Sequence, residues 1–160
     1  MKKHRIYLTI VASLLLLMLA STTTAQQATE VAVVVNPDNP VSSISTDELR
    51  RIFAGDKQSW SGNMPVFPVI RAPQAAERQF LLGRILKMTE QEYKQYWVRK
   101  VYSGEALHEP VAVFSNGMQL EAIRAKKGGI ALISLQDVHS GVKIIKVDGY
   151  APGSPGYPLK

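Results

Sequence analysis

Apolar and polar positions come in blocks along this chain, and the blocks have two different periods. Val31-Ala32-Val33-Val34-Val35 is an unbroken β-branched run, the pattern of a strand covered on both faces. Asn36-Pro37-Asp38-Asn39-Pro40 stops it, because proline brings no N–H to a ladder and Asn and Asp favour turns. Ser45 and Glu48 then stand at capping-box spacing before Leu49, Ile52 and Phe53, with Gly55 as a stop. A short helix with one apolar stripe is predicted there. Trp60 to Asn63 reads as a turn, and Pro65 to Ile70 as a second strand.

The alternation continues to the end of the chain. A helix is predicted from about Ala75 to Leu86, with Phe80, Leu81 and Ile85 inward. Thr89 and Glu92 form a second capping box, opening a helix through Tyr93, Tyr96, Trp97 and Val101 that Gly104 ends. Val111–Phe114 is the third strand, and Ser115 or Asn116 caps a helix to about Lys126. Gly128-Gly129 turns into strand Ile130–Ile133, and Val142–Val147 is the last strand. The Pro/Gly-rich tail, residues 150–160, is expected to be unstructured or laid over the surface. Strands alternating with helices imply a single α/β domain, residues 26–149, with a mainly parallel or mixed sheet flanked by helices.

The beginning of the chain changes where this domain is expected to work. A basic head (Lys2, Lys3, Arg5), an apolar run from Ile6 to Ala20 and small residues ending at Thr23-Thr24-Ala25 make residues 1–25 a secretory signal peptide. About 15 apolar residues is short for a bilayer, so cleavage leaves a periplasmic or secreted protein that is not membrane-embedded. The leader takes three of the 19 Lys and Arg and none of the 13 acids, so the net charge falls from +6 to +3. That balance, with no basic run longer than two, gives no nucleic-acid footprint. Without cysteine there is no disulfide, thiol chemistry or lipid anchor.

Catalytic spacings are missing: the sequence has no G-x-S-x-G, no phosphate loop, no G-x-G-x-x-G and no H-E-x-x-H. No cofactor is implied. Glu105, His108 and Glu109 fall in a predicted loop, where solvated side chains are expected and not a metal site; His139 reads as a turn residue. The protein is expected to bind and not to catalyse. One place has binding character. The second strand runs into Arg71, then Ala72-Pro73-Gln74-Ala75-Ala76 and a helix start. Backbone N–H groups converge on an anion at such a junction, and an arginine adds a fork. Arg71, Gln74, Ala75 and Ala76 are therefore the candidate ligand-binding residues. Pairing of Arg71 with a nearby acid is the competing reading.

The segment Ile44–Gly55, with Lys57, Trp60 and the strand ending Pro68-Val69-Ile70-Arg71, resembles one lobe of the phosphate-binding proteins that feed ABC transporters. Tyr96-Trp97 and Gly128–Ile133 continue the resemblance, which covers about residues 31–147. It implies a periplasmic-binding-protein-like fold of the second type, reduced to one lobe. The implied ligand is a small oxyanion such as phosphate, and the implied partner a membrane transporter or sensor. An accessory protein that has lost the ligand and docks on a membrane partner is the alternative. The chain departs from the family at its ligand loop. The family places Ser, Gly and Thr where Ala75, Ala76 and Glu77 stand, so hydroxyl donors are lost and a carboxylate lies where an anion would sit.

Overall fold

The computed structural model describes residues 30–160; the expected leader and its cleavage site lie outside them. The strand β1 (Val31–Val35) buries all five side chains, because it lies inside the sheet and both its faces are covered. It runs antiparallel to β5 (Gly129–Ser134) on one side and to β6 (Lys143–Val147) on the other. β3 (Phe67–Arg71) pairs parallel with both β5 and β4 (Val111–Val113). β2 (Ser43–Ile44) pairs parallel with β6, giving the order β2-β6-β1-β5-β3-β4. The sheet is therefore mixed. Two-residue β2 is too short to have been read from sequence.

β3 begins later than expected, at Phe67 and not Pro65. It tolerates Pro68 because the proline precedes the part of β3 that β4 reaches, where Val69 pairs with Val111, so its missing N–H breaks no ladder bond.

Helices cover the sheet unequally. On one face α1 (Thr46–Phe53), α2 (Ala76–Phe80, running on as a π-helix over Leu81–Leu86) and α3 (Glu90–Tyr102) pack on Val31, Val33, Val35, Ile130 and Leu132. On the other face α4 (Asn116–Ala125) sets Leu120 and Ile123 against Val34, Val69, Ala131 and Ile133. Full burial of each such aliphatic side chain contributes about 1.5–3 kcal/mol. The expected inward stripe of α2 is partly different. Leu81 and Ile85 are buried, but Phe80 is only half-buried, and Glu77 and Arg78 take inward positions.

Of the two expected capping boxes only the second closes reciprocally, because the Glu48 carboxylate pairs with Lys57 instead of turning back to Ser45 N. The Ser45 hydroxyl accepts from Glu48 N at 3.0 Å, and Thr89 N donates to Glu92 Oε2 at 2.7 Å while Glu92 N donates back to Thr89 Oγ1 at 3.2 Å. Gly55 ends α1 at φ +74°, and a Cβ there would sit 2.6 Å from the Trp97 ring. Gly128 is fixed by close approach, since its Cβ would lie 1.8 Å from the Pro65 carbonyl oxygen. Two of the last eleven residues enter the core. Tyr157 and Leu159 are buried in the larger core cluster, Tyr157 Oη donates to Val31 O at 2.9 Å, and Val31 N donates to Leu159 O at 3.2 Å.

Candidate functional site

β3 and β5 are parallel neighbours, so Arg71 and Ser134 arrive at the same end of the sheet. The chain leaves Arg71 through Ala72-Pro73-Gln74, with Gln74 at φ +74°, and enters α2 at Ala76. Ala75 stands at the N-cap with extended backbone and no side-chain cap bond, as a methyl group dictates. α4 starts beside them at Asn116, held by the Ser115 hydroxyl, which accepts from Met118 N at 3.1 Å. Two strand ends and two helix starts thus meet in one place.

The side chains that fill this place are not the four expected. Arg71 is there, its side chain 15% exposed. Its Nη2 donates to Phe114 O at 3.0 Å and its Nη1 to Asn116 Oδ1, with Glu77 Oε2 3.5 Å away. Arg71 Nε has no hydrogen-bond partner among the described residues. Glu77, 5% exposed, is the centre of the cluster. Its Oε1 accepts from Ser134 Oγ at 2.6 Å, from Asn116 Nδ2 at 3.0 Å and from Ser134 N at 3.4 Å. Asn116 Nδ2 also donates to Asp137 Oδ2 at 2.7 Å. Gln74 and Ala76 are exposed and Ala75 half-buried. The Gln74 carbonyl accepts from Gln79 Nε2 at 3.3 Å, outside the cluster.

The electrostatics follow from these bonds. Burial alone would push the Glu77 carboxyl up. The Ser134 hydroxyl, its own backbone amide, the Asn116 amide and the Arg71 charge outweigh burial and hold it below the usual carboxylate value. Glu77 is a resident anion with the donors an oxyanion would need.

Behind it lies Arg78, also 5% exposed, which sequence reasoning missed. Its Nε and Nη2 donate to the two oxygens of Glu90 at 3.0 and 2.6 Å, its Nη1 to Arg71 O at 3.4 Å, and its guanidinium stacks 4.6 Å from the Tyr93 ring centre. Arg78 thereby ties the end of β3 to the start of α3. A signal existed: Arg78 falls at i−3 and i−4 from Leu81 and Leu82, inside the apolar stripe, where a charge needs a partner. An open cleft of about 460 Å³ runs beside the cluster, bounded by Ala76, Glu77, Phe80, Arg84, Ser134 and Lys160.

No family model matches the sequence. Solved structures do match. An ABC-type phosphate transport receptor from Vibrio cholerae superposes with a TM-score of 0.62 at 20% identity, over 77% of this chain and 48% of the receptor. PstS from Borrelia burgdorferi superposes with a TM-score of 0.64 at 17% identity, over 81% of this chain and 53% of PstS. This chain has the fold of a phosphate-receptor lobe. A putative phosphate ABC transporter substrate-binding protein from Clostridium perfringens, with bound phosphate, agrees at a TM-score of 0.61 and 18% identity. The lobe spans about half the length of these proteins, as the sequence resemblance implied. No helix among the described residues is long and apolar enough to cross a membrane. Nor do the described residues gather three or more His, Cys, Asp or Glu as a metal ion would need. Glu105 accepts instead from Ser103 Oγ at 2.7 Å, and His108 is exposed.

Proposed function

We propose that this lobe works in the cell envelope as an interaction module, periplasmic or secreted, that docks on a membrane transporter or sensor. On this reading its oxyanion seat is filled by its own Glu77. The observation that carries it is the bonding of Glu77 Oε1 to Ser134 and Asn116 with Arg71 alongside. An entering phosphate has to displace a carboxylate whose charged hydrogen bonds are worth about 1.5–3 kcal/mol each. Its own binding then stays at about millimolar or weaker, which is only ~4 kcal/mol. Calorimetry on the chain and on the triple variant Ala75→Ser, Ala76→Gly, Glu77→Thr tests this. Phosphate affinity should rise measurably in the variant, and micromolar binding by the unmodified chain would overturn the reading.

A second reading, a solute-binding protein for a small oxyanion, is favoured by the cleft that opens on Glu77 and Ser134 with Arg84 at its rim, and by the unpartnered Arg71 Nε. It requires tight anion binding by the unmodified chain that Arg71→Ala weakens by about tenfold or more, one charged hydrogen bond's worth. Both readings are of binding and not catalysis.

A further inference from the structure

Gly83 stands in the π-helical half of α2 without a reason inside the fold. Glycine in a helix interior destabilises it relative to alanine, so it usually answers a left-handed backbone or a close approach. Among the described glycines Gly83 alone has neither: its φ is outside the left-handed region, and a Cβ built on it would meet no atom within 4 Å. The π-helical turns around it, Leu81–Leu86, are themselves a form found mostly at functional places. Both features point to something that approaches α2 from outside.

Gly83 and Gln79 lie on the exposed side of α2. The cleft of about 460 Å³ borders them on one flank. A second open cleft, of about 560 Å³ between α2 and the start of α3, borders them on the other. Where Gly83 stands, the ridge between the two clefts has no side chain, so the surface there is a saddle. Arg84 borders the first cleft, Lys94 the second, and Lys87 ends the helix between them. All three are exposed, and none makes an ion pair among the described residues. Lys160 also borders the first cleft, with its Nζ donating to Ser154 O at 3.1 Å. The two acids on the cleft walls are already engaged. Both oxygens of Glu90 accept from Arg78, and Glu77 is held by Ser134, Asn116 and Arg71. The saddle is therefore positive and unneutralised.

We infer that this saddle is the docking surface for an acidic helix of the membrane partner, laid across α2 at Gly83. The inference rests on the docking reading above and names the surface that reading uses. A glycine allows another backbone to come close, and the clefts beside it accept side-chain ridges as grooves do where helices cross. Carboxylates on the incoming helix complement Arg84, Lys87 and Lys94. A lipid surface fits less well, since its binding needs buried apolar area and no large apolar side chain is exposed on α2.

The probe is a synthetic alanine-based helical peptide whose only charges are Glu, beside the same peptide with Lys for Glu. Each is titrated into the exported, purified, isotope-labelled chain and followed by NMR. The acidic peptide should shift the amide signals of Gln79, Gly83, Arg84 and Lys94 saturably, with a Kd of about 1 mM or tighter, and should bind more weakly as salt rises. The Lys peptide should not bind. Gly83→Leu fills the saddle with a side chain that meets nothing in the chain, so the melting temperature should hold or rise while affinity falls at least about tenfold, as loss of a central contact does. Arg84→Glu with Lys94→Glu should weaken binding by about as much, because like charges then meet across the contact. Should Gly83→Leu fail to fold, the charge reversal decides. No binding by the acidic peptide, equal binding by the Lys peptide, or unchanged affinity in every variant that folds overturns the inference. So does sedimentation of the chain with phosphatidylglycerol vesicles while the acidic peptide stays unbound. Phosphate affinity is read separately: micromolar phosphate binding overturns the docking reading, whereas weak phosphate binding with a silent acidic peptide overturns only the saddle.

Discussion

Glu77 carries the largest consequence of any single side chain. Its folded-state pKa is depressed, so the stability it contributes is fully present above the unfolded carboxylate value of 4.5 and is lost as pH falls through the folded value. Glu77→Gln keeps an oxygen for Ser134 but removes the charge that faces Arg71. It should destabilise the chain by about 1–3 kcal/mol near neutral pH, the cost of a charged hydrogen bond lost in a buried site. The gap between variant and parent should narrow as pH drops below 4.5. Urea unfolding of both proteins at several pH values measures it, and a gap independent of pH would show that the charge is not what matters. The sequence made Arg71 and the odd carboxylate at 77 visible. It did not make Ser134, Asn116 and Asp137 visible, because they come from three other elements and meet only when β5 lies beside β3.

Among the elements, those that sequence patterning located well are those with a local cause. The caps at Ser45 and Thr89 depend on neighbours within a few residues, so spacing finds them, and the run Val31–Val35 shows its strand in its own composition although its partners lie far along the chain. The π-helical second half of α2 depends on tertiary packing of Leu81, Leu82, Ile85 and Leu86. No spacing distinguishes it from an ordinary helix, and it ends on Lys87 in the left-handed region at φ 56°. Gly55 joins two elements at once, closing α1 and seating the Trp97 ring of α3. Gly55→Ala should therefore cost about 2–4 kcal/mol, combining roughly 1–2 kcal/mol of left-handed backbone strain with the overpacking that displaces a core indole. Urea unfolding of that variant checks it; a loss below the backbone term alone would mean that Trp97 moves aside freely.

Across the whole molecule, the Pro/Gly-rich end reads from composition as unstructured or laid over the surface, and it is ordered, with Tyr157 and Leu159 anchored in the core. Composition hides these anchors because they sit among turn residues, and turn chemistry outweighs two apolar side chains in any short window. Leu159→Ala should cost about 2–5 kcal/mol, as buried leucine deletions do, and thermal melting compares it with the exposed Leu107→Ala, which should leave the melting temperature nearly unchanged. The placement of β1 has a consequence for time. Val31 pairs with Ser134 and holds Tyr157, 126 residues away along the chain. A fully buried strand is thus made early and partnered late. Contacts of such long span make folding slow, on the scale of milliseconds to seconds rather than microseconds. A ribosome emitting about 5–20 residues per second would have the first strand waiting several seconds for its neighbours. Through that interval the nascent chain stays open and threadable.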